Sequence, residues 1–322
     1  MYLSACSLCR KEDMMKNLKK VLVAGLAIML TLVASACSKK TDNHKPYTPK
    51  TLNIQFVPSQ AADKLEGRAK PLEDMLSKKL GMPVHVTMST DYTTVVEAMK
   101  SKKIDAGFLP PDGYVLGHKQ GAADVLLQAV RYGVKQPNGM PTKNLVRSYR
   151  AEILVKKGSK IKSWKDLKGK SISVQNPTSS AGYVFPVAEL YQKGLNVPKE
   201  CKLVTVTGHD QAVLNVLNGD TDAAFVFEDA RNVVKGDEPD IMKKVVPIYF
   251  TKPIPNDTIC VQPNMSKKFR KKLTKAFIEI GKTKKGKALL ESIYGHEGYV
   301  TTKNSDFNIV RKYDKLVDKT QQ

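Results

Sequence analysis

The sequence predicts an α/β protein built as two lobes, each a mixed sheet covered by helices, and three observations lead there. Short β-like runs and helical stretches alternate from residue 51 onward, the pattern of sheets with helices on both faces. One helix–turn–Asp-Ala–strand unit occurs twice, once in each half of the chain. About 286 residues remain once an N-terminal leader is set aside, a length that suits two lobes better than one.

The leader comes first. Lys16-Asn17-Leu18-Lys19-Lys20 precedes the uncharged apolar run Val21–Val33, and small residues follow up to Cys37. A basic patch, an apolar run and a small-residue exit are the parts of a secretory signal peptide. The run is shorter than the ~20 residues of a membrane span. Ala34-Ser35-Ala36-Cys37 resembles the lipobox of bacterial lipoproteins and departs from it at Ala34, where Leu is usual. Residues 1–36 are therefore read as leader, with the true start at Met14 or Met15. Residues 37–50 are read as a lipidated Cys and a polar, Pro-containing tether. Cys6 and Cys9 lack a second pair to complete a metal site and fall in the upstream sequence.

Removing the leader lowers the formal charge of +22 by three, to about +19. Such a charge raises nucleic-acid binding as a class. The lysines are spread along the whole chain, however, and aromatics make up only 7%, with no basic–aromatic run. A basic surface facing an anionic cell envelope is the simpler reading, with long-range attraction of anionic ligands as a by-product. Cys201 and Cys260 are the thiols left in the body, too few for a disulfide framework; whether they pair is open at this point.

Thr51–Val57 alternates like a strand and ends in Pro58-Ser59-Gln60. Helix-like spacing follows from Asp63 to Leu80, then strand Val84–Met88, loop Ser89–Tyr92, helix Thr93–Lys102 and strand Ile104–Leu109. A second group begins with strand Glu152–Val155 and continues through Trp164–Leu167 to strand Ser171–Gln175. Strand Leu203–Thr207, helix Gln211–Leu217 and strand Ala223–Phe227 complete it. The repeated unit is Val95–Phe108 in the first group and Ala212–Phe225 in the second.

The stretch with most chemistry is Asn176-Pro-Thr-Ser-Ser-Ala-Gly-Tyr183, between a strand and the helix-like Val184–Tyr191. It sets the hydroxyls of Thr178, Ser179 and Ser180 where a strand hands over to a helix. Unpaired N–H groups and the helix dipole favour an anion there, and Gly182 lets the backbone approach. Two readings stand side by side: an oxyanion cradle, or an ordinary Ser/Thr N-cap.

In order and spacing the chain resembles bacterial substrate-binding lipoproteins of phosphonate, phosphite and phosphate ABC importers, over nearly all of residues 51–300. The resemblance is carried by Ser89–Tyr92, Lys103–Phe108, Tyr149, Asn176–Pro186, Gly208–Asp210, Gly219–Ala223 and Pro253–Asp257. It implies the type II periplasmic-binding-protein fold with ligand in the cleft. One lobe is then 51–148 plus 254–322, and the inserted lobe 149–253. It implies export, a lipid anchor on the outer face of the cytoplasmic membrane, and a permease with its ATPase as partners. The protein would work as a monomer without cofactor, metal or nucleic acid.

Carried onto this sequence, the resemblance implies an oxyanion held by Ser179, Ser180 and nearby amides. A third family hydroxyl is missing at Ala181, where Thr178 is the candidate substitute. Tyr92 and Tyr149 match two pocket tyrosines, and His209 faces the cleft as a donor. Glu228 and Asp257 match acidic positions of relatives that bind aminophosphonates. The candidate loops offer no Arg or Lys. The ligand would be a phosphonate, phosphite or phosphate-type oxyanion, with phosphonate or phosphite ahead of phosphate; the carboxylates would either accept a hydrogen bond from a protonated phosphoryl oxygen or pair with an amine on the ligand, and both stay open at this point.

Two other classes compete. A hydrolase would use Ser180 with His209, but Thr178-Ser-Ser-Ala-Gly182 lacks the Gly two residues before the serine that a nucleophile elbow needs. No P-loop or HExxH motif is present either. A sensory or adhesive lipoprotein on the same fold is the other alternative.

Overall fold

The computed structural model describes residues 45–322; the leader, Cys37 and most of the tether lie outside the described residues. The first strand, β1 (Leu52–Phe56), buries Leu52, Ile54 and Phe56 and leaves Asn53 and Gln55 half-buried. That period of two is what a pleated strand with one covered face requires. Helix α1 (Ala62–Leu80) ends at Gly81 in the left-handed conformation, φ 63°, and β2 (Val84–Met88) follows. Helix α2 (Tyr92–Lys100) starts at Asp91, whose carboxylate accepts from the Thr94 N–H at 2.9 Å. Next come β3 (Ala106–Leu109), α3 (Pro111–Lys119) and the long hairpin of β4 (Asp124–Lys135) with β5 (Met140–Val146). Nothing in the sequence reading assigned residues 110–148 to elements.

The chain then passes through β6 (Ser148–Tyr149) to β7 (Ala151–Lys156), β8 (Ser171–Val174), helix α4 (Phe185–Gln192) and the short α5 (Val197–Glu200). It continues with β9 (Lys202–Thr205), α6 (His209–Asn218), β10 (Ala223–Phe227), the short α7 (Arg231–Val234) and α8 (Ile241–Lys244), and β11 (Val245–Phe250). β12 (Ile254–Pro255) leads to β13 (Thr258–Val261), α9 (Lys267–Lys282), α10 (Lys284–Tyr294), β14 (Gly298–Thr301) and α11 (Asn308–Thr320).

Two sheets result, as the alternation predicts. The seven-stranded sheet runs β14-β4-β13-β3-β1-β2 with β5 on β4, and the five-stranded sheet runs β11-β7-β10-β8-β9. In the first, β1 pairs in parallel with β2 and β3, while β13 pairs antiparallel to β3 and β4. The chain crosses between sheets at β6 and again at β12, and these crossovers pair with each other, Tyr149 opposite Ile254.

Each lobe has a packed interior. In the first, Phe56 stacks on Phe108 with ring centroids 3.9 Å apart, and Phe277 and Tyr299 pack edge-on to Phe108. Burying an aromatic or Leu side chain of this kind stabilises by ~1.5–3 kcal/mol. Helix α11 follows the first lobe's last strand yet reaches the second lobe: Tyr313 stacks on Phe185 of α4 at 4.2 Å, and its hydroxyl donates to Glu189 at 2.9 Å. Cys201 and Cys260 are both free thiols.

Candidate ligand-binding site

Between the lobes lies a cavity of about 60 Å³. Its lining includes Tyr92, Tyr149, Ser179, Ser180, His209 and Asp257, six of the eight residues named from the sequence. Thr178 and Glu228 lie outside the lining. Thr178 is spent locally, its hydroxyl and N–H both donating to the Asn176 side-chain oxygen at 2.9 and 3.0 Å. The buried Glu228 accepts from the Gln136 amide at 2.6 Å, and burial raises its pKa above the usual carboxylate range.

The serine loop is built by a π-helical turn, Ser180–Val184, ahead of α4. A π turn widens the backbone spiral and is a frequent feature of functional sites. Ser179 caps it, its hydroxyl oxygen accepting from the Gly182 N–H at 3.2 Å. A Cβ on Gly182 would overlap the carboxamide of the fully buried Gln175, so only glycine lets the turn sit on that side chain. Ser180 accepts from the Asp112 N–H at 3.3 Å, which leaves its own hydroxyl proton to donate.

Other elements bring the remaining groups. Tyr92, the first residue of α2, is 3% exposed and its phenol lies beside Ser179. Burial drives the Tyr92 and Tyr149 phenols well above their ordinary pKa, so both remain neutral donors. His209 opens α6; burial pushes its imidazole down to about 3, so it too is neutral near pH 7. Its Nδ1 has no partner, and its ring stands edge-on to Phe227 at 4.7 Å. Asp257 lies in the short link between β12 and β13, with a carboxylate oxygen 3.5 Å from Nε2 of His296.

The sequence reading missed several lining residues. The expectation of a pocket without Arg or Lys is corrected by Arg131, which projects from β4 and pairs with Asp229. It comes from a strand, not from the loops that carry the serines, Tyr92 and His209. Its guanidinium carbon lies 6.0 Å from the ring centres of both Tyr149 and Phe227. Asn256, Tyr294 and His296 also line the cavity. An Arg inside the strand-like run Asp124–Lys135, and a Tyr-Gly-His triplet with Gly295 ending a helix, were the readable signs of Arg131, Tyr294 and His296.

Chemically, the arrangement offers neutral O–H and N–H donors, one guanidinium and one partly exposed carboxylate. It suits an oxyanion, and Asp257 would accept a hydrogen bond from a protonated ligand oxygen.

The family model described as "ABC transporter, phosphonate, periplasmic substrate-binding protein" matches residues 54–307. A phosphate-import protein, PhnD, of Mycolicibacterium smegmatis is 30% identical over 240 residues, covering 69% of this chain and 71% of its own. The phosphonates-binding periplasmic protein of Escherichia coli is 25% identical over 276 residues, covering 84% of this chain and 78% of its own. The solved structure of PhnD1 from Prochlorococcus marinus with methylphosphonate superposes with a TM-score of 0.72 at 18% identity, over 84% of this chain and all of that one.

Proposed function

The chain belongs to the phosphonate-binding family of periplasmic substrate-binding proteins, and we propose that its cleft captures a small phosphorus oxyanion on Ser179, Ser180, Tyr92, Tyr149 and His209. As a member it is the non-enzymatic, extracytoplasmic substrate-binding component of a phosphonate/phosphate ABC importer, which makes a permease its partner.

The observation that carries the assignment is the convergence of these five side chains, from both lobes, on one cavity. Neutral donors in a water-poor site hold an anion with hydrogen bonds stronger than those of bulk water, and neither lobe alone supplies them all. Lobe 1 is 51–148 plus 254–322 and lobe 2 is 149–253, closing about the paired crossovers. Helix α11 then rides against both. The favoured ligand is a phosphonate or phosphite ahead of phosphate, in line with the phosphonate description of the matching family and of the Escherichia coli relative, and Asp257 would accept a hydrogen bond from a protonated oxygen of it. Cys37 carries a lipid that holds the mature protein at the outer face of the membrane, and residues 38–50 are the tether.

Calorimetric titration of the ligand-free protein with phosphite, methylphosphonate and phosphate tests the reading. It expects binding of the first two to exceed that of phosphate, and silence with all three would end it.

A further inference from the structure

We propose that the lysine-rich outer face of α9 is the surface on which the protein rests against an anionic lipid membrane. The inference rests on the reading that Cys37 carries the anchor, and it adds which side of the protein the membrane meets.

The chain's positive charge is concentrated there. Lys267 to Lys287 holds ten Lys and Arg against a single acid, Glu279, so 21 residues supply +9 of the formal +22. Helix α9 turns Phe269, Leu273, Phe277 and Ile280 into the core of the first lobe. Its opposite side carries Lys267, Lys271, Lys275 and Lys282, all exposed and spaced so that they form one stripe along the helix. Glu279 does little to neutralise the stripe, because Lys79 of α1 already holds it at 2.8 Å.

The fold gains nothing from several of these charges. Lys267 and Lys268 open α9, Lys284 and Lys285 open α10, and neither first turn contains an acid. The positive end of the helix dipole disfavours cations at such positions. Lysines set against the dipole in two successive helices answer to a partner outside the fold, and that partner is anionic.

Where the tether joins the body says which anion it is. The Ser266 N–H donates to the Tyr47 carbonyl at 2.7 Å, and the Tyr47 N–H donates to the Asn264 carbonyl at 3.0 Å. The hydroxyls of Thr48 and Ser266 lie 2.8 Å apart, and Ser266 is the residue that caps α9. The tether is thus fastened to the start of the basic helix. Tyr47 is ten residues from Cys37, a reach of at most about 35 Å when fully extended. A helix of this length spans ~24 Å. A lipid on Cys37 therefore keeps α9 beside the bilayer, where a cluster of lysines is attracted to anionic headgroups. None of the stripe's lysines lines the ligand cavity, so contact here does not occupy the binding site.

The test is lysine footprinting. The lipid-bearing protein is reconstituted in vesicles of phosphatidylcholine with and without phosphatidylglycerol, acetylated by a membrane-impermeant reagent and read by mass spectrometry. Phosphatidylglycerol should slow acetylation of Lys267, Lys271 and Lys275 at least about fivefold. The exposed Lys157, Lys160 and Lys162 of the second lobe should react equally in both vesicles. About 1 M salt, which shortens the screening length to ~3 Å, should abolish the difference. Lys267→Gln/Lys271→Gln/Lys275→Gln should lose the protection at Lys268 and Lys282 without a fall in melting temperature. Equal reactivity of the α9 lysines in both vesicles overturns the proposal, as does equal protection of both lobes, or protection that requires the permease. A wild type without lipid on Cys37 removes the anchoring reading instead; the same footprint on protein added to preformed vesicles then decides the surface.

Discussion

The backbone N–H of His209 donates to the carbonyl oxygen of Ser59 at 3.0 Å, tying the first turn of α6 in the second lobe to the turn after β1 in the first. A second bond lies beside it, from the Ala61 N–H to the Asp210 carboxylate at 3.0 Å. Gly208 makes the approach feasible, because a Cβ there would overlap the Asp210 carboxylate and lie 3.1 Å from Cα of Gln60. Together with Arg131–Asp229, these contacts hold the cleft shut.

Asp210→Ala should therefore favour the open form. A hydrogen bond to a charged group contributes ~1.5–3 kcal/mol, so the ligand-free variant should sample open states about tenfold or more often. Small-angle scattering would show a larger radius of gyration than wild type, and ligand affinity would fall. An unchanged scattering profile with unchanged affinity would mean that these bonds do not govern closure.

Ser180→Ala removes one donor from the cradle and leaves the Asp112 N–H without its acceptor. Loss of a single bond to a charged oxygen should weaken binding by roughly 10- to 150-fold. Titration calorimetry gives the affinity; if it does not move, the ligand is held elsewhere.

How far these residues were legible follows from where they sit. The serine loop, Tyr92 and His209 lie at strand-to-helix junctions, and such junctions have local punctuation: a hydroxyl cluster, a capping Asp91, a Gly208 before the helix. Strand alternation likewise marked β1 and β2, and a short continuous apolar run marked β10, with nearly correct bounds. Arg131 was hidden because nothing local distinguishes a strand arginine aimed at a cleft from one in solvent. Its role comes from Asp229, 98 residues away. Glu228 falls outside the lining for the converse reason: one step before Asp229, its side chain is taken up by Gln136 of the β4–β5 hairpin, a contact no spacing reveals. The contact of α11 with α4 depends in the same way on a distant partner, Phe185 against Tyr313.

Acid should weaken the fold through His209. Burial holds its imidazole at about 3, against an ordinary value near 6.5. Between those values the unfolded chain binds a proton that the folded one refuses. Stability is therefore full above about pH 6.5 and declines as pH falls toward 3. At about pH 5 the loss amounts to about 2 kcal/mol, or ~4–8 °C in melting temperature. His209→Gln, melted in phosphate-free buffer near neutrality and at that acid pH, should show a correspondingly smaller drop. An equal drop in both proteins would assign the acid sensitivity to other groups.

Cys37 makes a prediction independent of the cleft. Expressed with its leader in a bacterium that processes lipoproteins, the protein should fractionate with membranes and begin at a lipid-modified Cys37. Cys37→Ala should release it or leave the leader attached. Mass spectrometry of the N-terminal peptide decides, and residues 16–36 retained on the mature wild type would contradict the anchor.

Asp257 carries the last prediction. Its carboxylate is 33% exposed and faces Nε2 of His296 at 3.5 Å, so it borders the cavity as a hydrogen-bond acceptor. A singly protonated phosphonate presents an O–H to that acceptor, and the charge-assisted bond is favourable. Once the ligand loses its second proton, the same carboxylate faces a dianion and the contact becomes repulsive. Wild-type affinity for methylphosphonate should therefore fall as pH rises through the ligand's second ionisation. Asp257→Asn removes the charge and keeps the shape. It should bind the monoanion about tenfold more weakly, having lost a charged acceptor, and should lose less affinity than wild type on passing to the dianion. Titrations on both sides of that ionisation separate the cases. Parallel pH curves for the two proteins would place Asp257 outside the ligand's reach, and a uniform loss would make it a support for His296 rather than a partner of the oxyanion.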